Sequence, residues 1–249
     1  MNLYVDIGNS RIKWATDKAG LIQGLTALAY TTNELPALLV DNWGSMDRPD
    51  RVLVANVAGK NVADILVKAC ADIWSSAPCF IRVQEESCGV INGYDDISQL
   101  GVDRWLSIIA AWSGCHGDVC VVGCGTAVTV DLISADGRHL GGYIVPGTFL
   151  MQRVLTQGTQ GIEIDPHPSA GIAPGRSTRA CAGNGTTLAV VALIDRAVSD
   201  FRKRVSKNVE CIITGGGAAN ILPLLGADFK YEPDLVLRGI SIMSKGITA

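Results

Sequence analysis

Val5-Asp6-Ile7-Gly8-Asn9-Ser10, close to the start of the chain, can be laid over Val122-Gly123-Cys124-Gly125-Thr126-Ala127, close to its middle. Each copy is an apolar run that breaks at a Gly-containing turn with a small hydroxyl. A second apolar run follows, Ile12 to Ala15 in one case and Ala127 to Ile133 in the other. That pattern reads as two strands joined by a tight turn. A second pair of segments also matches: Val52-Leu53-Val54-Ala55-Asn56 over Ile212-Ile213-Thr214-Gly215-Gly216. The period is far longer than the few tens of residues a solenoid repeats on. It predicts two similar α/β halves facing across a cleft, 1–115 and 116–249. The join falls near Trp112 to Asp118, where Ser113-Gly114 and Gly117-Asp118 are turn-like.

Helices fill the space between these strands. Val62, Ile65, Leu66, Ala69 and Ile73 recur at helical spacing between Asn61 and Trp74. A second helix is expected from about Asp103, with Leu106, Ile109, Ala110 and Trp112 inward. Gly185 to Val205 reads as a long helix with Leu188, Val191, Ala192, Ile194, Val198, Phe201 and Val205 mostly on one face. Cys211 to Thr214 is a strand, followed by three glycines and a short helical stretch from Ala218.

The bulk composition narrows the function. With 249 residues, 48% of them apolar, the chain can bury a sizeable core. A net charge of −3, with no basic cluster, gives no electrostatic reason to bind nucleic acid or an anionic membrane. No apolar run approaches the length of a spanning helix. Met1-Asn2-Leu3-Tyr4-Val5-Asp6 reads as a strand rather than a signal peptide, so a cytoplasmic protein is expected. The eight cysteines are scattered and form no Cys-x-x-Cys pair, which favours reduced thiols over a disulfide framework or a zinc site. His116, His139 and His167 lie far apart beside loop residues and read as surface residues.

Four motifs carry chemistry. In Asp6-Ile7-Gly8-Asn9-Ser10-Arg11-Ile12-Lys13 a carboxylate ends a strand. A Gly permits a turn with exposed amides, and a hydroxyl and two cations follow. Such a turn can hold a phosphate on backbone N–H groups while Asp6 orients a hydrated Mg²⁺. Gly123-Cys124-Gly125-Thr126-Ala127-Val128-Thr129 has the same form and could hold another part of a polyphosphate. Either alone could be an ordinary hairpin; one in each half favours a phosphate site. Gly215-Gly216-Gly217 after a buried strand costs backbone entropy, which the close approach of a base or ribose would justify. In Gly101-Val102-Asp103-Arg104, downstream of Asn92-Gly93-Tyr94, Asp103 could simply cap the helix that begins there. No P-loop, Rossmann fingerprint or His-Glu-x-x-His is present.

Taken in order, these pieces resemble the type III pantothenate kinases over nearly the whole chain. Asp6 to Ser10 with Lys13 looks like the family's first phosphate motif, and Cys124-Gly-Thr-Ala-x-Thr129 like its second. Gly101-x-Asp-Arg104 looks like its pantothenate motif, and Gly142-Tyr-Ile-Val-Pro-Gly147 like its interface motif. Ser177-Thr178 and Gly215-Gly216-Gly217 also fall where the family has counterparts.

The resemblance implies the duplicated actin, sugar-kinase and Hsp70 fold, with ribonuclease H-like halves. It also implies a homodimer that binds pantothenate near its interface. It makes Asp103 the catalytic base and puts Arg104 on the pantothenate carboxylate, with Tyr94, Gly101 and Thr178 lining the pocket. Asp6 holds Mg²⁺ through water. Gly8, Asn9, Ser10, Lys13, Gly125, Thr126, Thr129, Gly215 and Gly216 belong to the ATP site. The family commonly has an acidic residue, associated with K⁺ or NH₄⁺, where this chain has Gly123. Loss of the ion, its retention by backbone carbonyls, or weakened activity would each follow. Within the same fold, a kinase acting on another small alcohol and a nucleotide-binding regulator are the competing functions.

Overall fold

The computed structural model describes residues 1–18, 21–115, 117–159, 161, 171–205 and 208–246. His116 and His167 therefore lie outside the described residues. In chain order the first strands are β1 (Asn2–Ile7), β2 (Arg11–Lys18) and β3 (Leu21–Ala29). They are followed by α1 (Leu35–Trp43), β4 (Arg51–Asn56), α2 (Lys60–Trp74) and β5 (Cys79–Phe80). A small hairpin of β6 (Glu86–Ser87) and β7 (Val90–Ile91) precedes α3 (Val102–Cys115). Next come β8 (Val119–Cys124), β9 (Ala127–Ile133), β10 (His139–Pro146), α4 (Thr148–Gly158) and α5 (Thr178–Arg204). The last elements are β11 (Glu210–Thr214), α6 (Ala218–Ile221), β12 (Lys230–Tyr231) and α7 (Leu235–Ser244).

The duplication read from the sequence is present as two five-stranded sheets of the same topology. One runs β3-β2-β1-β4-β5 and the other β10-β9-β8-β11-β12, each with an antiparallel meander on one side and parallel strands on the other. This is the actin and sugar-kinase architecture of two ribonuclease H-like halves. In β1 the consecutive residues Leu3, Tyr4 and Val5 are all buried. Such a continuous apolar run marks a strand covered on both faces.

The register sharpens the correspondence. Val5 lies opposite Trp14 on one side and Val54 on the other; Val122 lies opposite Val130 and Ile213. Asp6 therefore corresponds to Gly123 and Lys13 to Thr129. The overlay of β4 on β11 is corrected by one residue: Val52 matches Cys211 rather than Ile212, and Asn56 matches Gly215. Both segments are mostly apolar, so a one-residue slide sets only Val54 against a polar residue, Thr214, and the sequence pattern hardly detects it. The second hairpin is also one residue shorter, since Ile7 pairs with Ile12 but Cys124 with Val128. Arg11, rather than Ser10, is thus the counterpart of Ala127.

In the first unit, α1 and α2 cover one sheet face. Leu35, Leu39, Trp43, Val62, Leu66 and Trp74 pack with Val5, Ile7, Trp14 and Val54 there. Trp43 stacks on Trp74 at 5.5 Å and meets Trp14 edge-on at 6.0 Å. In the second unit, α5 contributes Val190, Val191, Ile194, Val198 and Phe201 against Cys120, Val122, Val130 and Ile213. It begins at Thr178, seven residues before the Gly185 expected from its apolar stripe, because Ser177 caps it by accepting the Ala180 N–H.

Contacts divide the chain into Met1–Ala110 with the segment from Asp234 onward, and Ala111–Pro233. The sequence reading set a single boundary at 115/116. The difference arises because α7 packs against β1, β4 and β2, burying Leu235, Leu237 and Ile240 there. Gly239 lets α7 approach α3 closely: a Cβ at this position would lie 2.2 Å from the Leu106 carbonyl oxygen.

Candidate functional site

Asp6 and Lys13 face each other across the β1–β2 hairpin. In the turn between them the Gly8 N–H donates to the Arg11 carbonyl at 3.0 Å, and Asn9 and Ser10 are exposed. Burial pushes the Asp6 carboxyl up to about 6. The Lys13 ammonium opposes that rise, and the Asp103 carboxylate adds to it. Two carboxylates that sense each other are thus placed beside one cation and one amide-bearing turn, although Asp6 and Asp103 stand far apart in sequence.

Asp103 is the second residue of α3, and its Oδ1 accepts the Arg104 N–H at 2.8 Å. Gly101 makes room for it, since a Cβ there would lie 2.6 Å from the same Oδ1. Arg104 is only 7% exposed. Its Nη1 donates to the Tyr94 hydroxyl at 2.7 Å, and its guanidinium sits 5.5 Å from the Tyr94 ring centroid. Tyr94 is held in turn by an Asx turn, its N–H donating to Asn92 Oδ1 at 3.0 Å. One arm of a buried guanidinium is therefore preset by Tyr94. Tyr94, Gly101, Asp103 and Arg104 come together in the first unit; Thr178 is an exposed first-turn residue of α5 in the second.

The second hairpin repeats the first in reduced form. Gly125 N–H donates to the Ala127 carbonyl at 2.9 Å, and Gly125 and Thr126 are exposed. Gly215, at φ +98°, closes against it: a Cβ would lie 2.3 Å from the Cys124 carbonyl oxygen, which also accepts the Gly217 N–H at 3.0 Å. The cost of these glycines is thus explained within the unit by close approach of two backbones, and Gly216 lies in the same turn.

Among the described residues no three His, Cys, Asp or Glu side chains gather into a metal cage. Asp6 suits a hydrated Mg²⁺, which keeps most of its waters and takes one or two carboxylates. Gly123 does not suit a carboxylate-held monovalent cation. An added Cβ would lie 2.8 Å from Thr129 Oγ1, so the threonine hydroxyl occupies the space.

His139 corrects the sequence reading. It is buried, and its Nε2 lies 3.0 Å from Asp131 Oδ1. It begins β10 opposite Ile133, before the register shift between His139 and Gly142, which sets it on the interior side of the strand. At the end of β4 the Asn56 side chain accepts the Ala58 N–H at 2.8 Å and donates to the Gly59 carbonyl at 3.0 Å, so it shapes the turn that follows the strand.

Two ribonuclease H-like halves, each with a glycine-containing hairpin at the same place in its sheet, define the fold as that of the actin and sugar-kinase group. A crystal structure described as a Baf family transcriptional activator from Campylobacter jejuni supports that fold, with a TM-score of 0.58 at 23% identity and 98% of each chain covered. The family model described as Type III pantothenate kinase matches residues 2–200. The Type III pantothenate kinase of Nitrosococcus oceani is 37% identical over 250 residues, covering 98% of this chain and 94% of the relative. That of Thiobacillus denitrificans is 34% identical over 255 residues, covering 98% and 96%. The chain belongs to the type III pantothenate kinase family.

Proposed function

We propose that the chain transfers the γ-phosphoryl group of ATP to the primary hydroxyl of pantothenate, giving 4′-phosphopantothenate, the first step of coenzyme A synthesis. The observation that carries the residue assignment is the buried Arg104 guanidinium held by the Tyr94 hydroxyl at 2.7 Å, next in sequence to Asp103, whose charge Asp6 senses. Arg104 binds the pantothenate carboxylate, because its planar fork offers two parallel donors. Tyr94, Gly101 and Thr178 shape the substrate pocket. Asp103 accepts the hydroxyl proton as the new O–P bond forms and the bond to the bridging oxygen breaks, releasing ADP. Positioning and charge neutralisation dominate such a transfer, so a carboxylate suffices as base.

Gly8, Asn9, Ser10 and Lys13 on the first hairpin, and Gly125, Thr126 and Thr129 on the second, take phosphate oxygens. Gly215 and Gly216 belong to the nucleotide site. Asp6 holds Mg²⁺ through water, and the ion, when bound, offsets phosphate charge. No monovalent cation enters this scheme, since Gly123 offers no carboxylate. Leu140, Tyr143 and Ile144 on the edge strand β10, and Phe149 and Val154 on α4, are exposed apolar side chains, which supports a homodimer built on the Gly142–Gly147 segment. No described helix is long and apolar enough to cross a membrane, and the cytoplasm, where ATP is available, suits the reaction.

The test is ADP release from Mg²⁺ and ATP, with and without pantothenate and K⁺, for wild type and Asp103→Asn. Pantothenate-dependent release in wild type alone is expected, undiminished without K⁺. Release that ignores pantothenate would point to another small alcohol. Absence of turnover in folded protein would point to a nucleotide-binding regulator.

A further inference from the structure

The first phosphate turn is held from outside by a residue the kinase motifs do not include. Tyr30 follows β3, is buried at 9% exposure, and belongs to the core under the β1–β2 sheet. Its hydroxyl donates to the Gly8 carbonyl at 2.6 Å, and its own backbone N–H donates to the Ser10 carbonyl at 3.4 Å. Two carbonyls of the turn are therefore drawn to one residue.

A trans peptide is planar, with C=O and N–H pointing in opposite directions. The Gly8 carbonyl and the Asn9 N–H share one peptide plane. Turning that carbonyl inward to Tyr30 turns the Asn9 N–H away from the core, towards the exposed side of the turn where Asn9 and Ser10 lie. Gly8 has no Cβ to resist a peptide flip, and Asn tolerates the alternative backbone well, so the turn itself does little to fix that plane.

The second half solves the same problem differently. Gly147 follows β10 as Tyr30 follows β3, and its N–H donates to the Thr126 carbonyl at 2.9 Å. It has no side chain and no room for one: a Cβ on Gly147 would lie 2.5 Å from the Gly125 carbonyl oxygen, the counterpart of the Gly8 carbonyl. The second turn is thus tied by a backbone bond, the first by a backbone bond and a phenol together.

We propose that Tyr30 is a positioning residue for ATP: by holding the Gly8 carbonyl it presents the Asn9 amide to a phosphate oxygen. This rests on the assignment of the first hairpin to ATP. The experiment compares wild type, Tyr30→Phe, Tyr30→4-aminophenylalanine and Asp6→Asn, each measured for ATP KM, pantothenate KM, kcat and thermal midpoint. Tyr30→Phe keeps the ring and loses only the donor. It raises the ATP KM about tenfold, the effect of one hydrogen bond of ordinary strength, and leaves the pantothenate KM within twofold. Tyr30→4-aminophenylalanine keeps a donor at the para position of the ring and recovers part of that loss, which a purely structural role would not show. If Tyr30→Phe lowers the folded fraction, the same comparison is made between Tyr30→4-aminophenylalanine and wild type. An unchanged ATP KM in Tyr30→Phe, with Asp6→Asn strongly impaired, overturns the role of Tyr30 alone. Unchanged ATP binding in both variants overturns the assignment of the hairpin.

Discussion

Replacing Asp6 by Asn should stabilise the metal-free chain at neutral pH while disabling it. The carboxyl is pushed from 3.8 to about 6 by burial, with Asp103 adding to the rise. Folding therefore favours the protonated form. The stability that Asp6 contributes is complete below about pH 4 and is lost as the pH climbs through about 6. A rise of about two units corresponds to about 3 kcal/mol between those limits. Asn has no charge to desolvate and follows no such slope. Urea unfolding in EDTA at steps from pH 4.5 to 7.5 gives both curves. The variant should gain on wild type by about 2 kcal/mol across that range, the remainder of the change lying below pH 4.5. Mg²⁺ with ATP should then stabilise wild type and leave the variant unmoved. A difference between the two proteins that stays flat with pH, or a variant less stable at pH 7.5, would refute the picture of a buried, under-compensated carboxylate.

Three other outcomes are expected. Asp103→Asn should lower kcat about 10²–10⁴-fold with the thermal midpoint nearly unchanged, read by coupled ADP release. Arg104→Lys should raise the pantothenate KM about tenfold or more and spare the ATP KM, because an ammonium replaces neither the fork nor the bond to Tyr94. Gly239→Ala should cost about 1–3 kcal/mol in urea unfolding, since its Cβ would enter the Leu106 carbonyl.

What the sequence revealed was local. Strand, turn and strand around Gly8 and around Gly125 are adjacent in the chain, and apolar periodicity exposes them directly. So is the Gly101–Arg104 cluster, although only the structure shows why Gly101 must be small. Contacts between distant segments were hidden. Nothing in the composition of Leu235–Ser244 says which sheet it covers, because any apolar helix face fits any apolar sheet face. The one-residue slip in laying β4 over β11 moved only Val54 from an apolar partner, Ile213, to a polar one, Thr214, too small a change to betray it. His139 looked superficial beside loop residues; its burial depends on a register shift in β10 and on Asp131 in the neighbouring strand. Tyr30 lies twenty-two residues from Gly8, and a lone tyrosine after a strand carries no local sign that its hydroxyl reaches a turn.

The return of α7 to the first unit sets an order for synthesis on the ribosome. Residues 111–233 are contiguous and can close their sheet as soon as they emerge. The unit bearing Asp6 and Asp103 is translated first yet must wait, with Tyr4 and Leu53, which lie outside the core packed by α1 and α2, lacking part of their cover until Leu235–Ser244 has left the exit tunnel. A chain cut short after Pro233 would retain every motif named above and still lack a finished catalytic half.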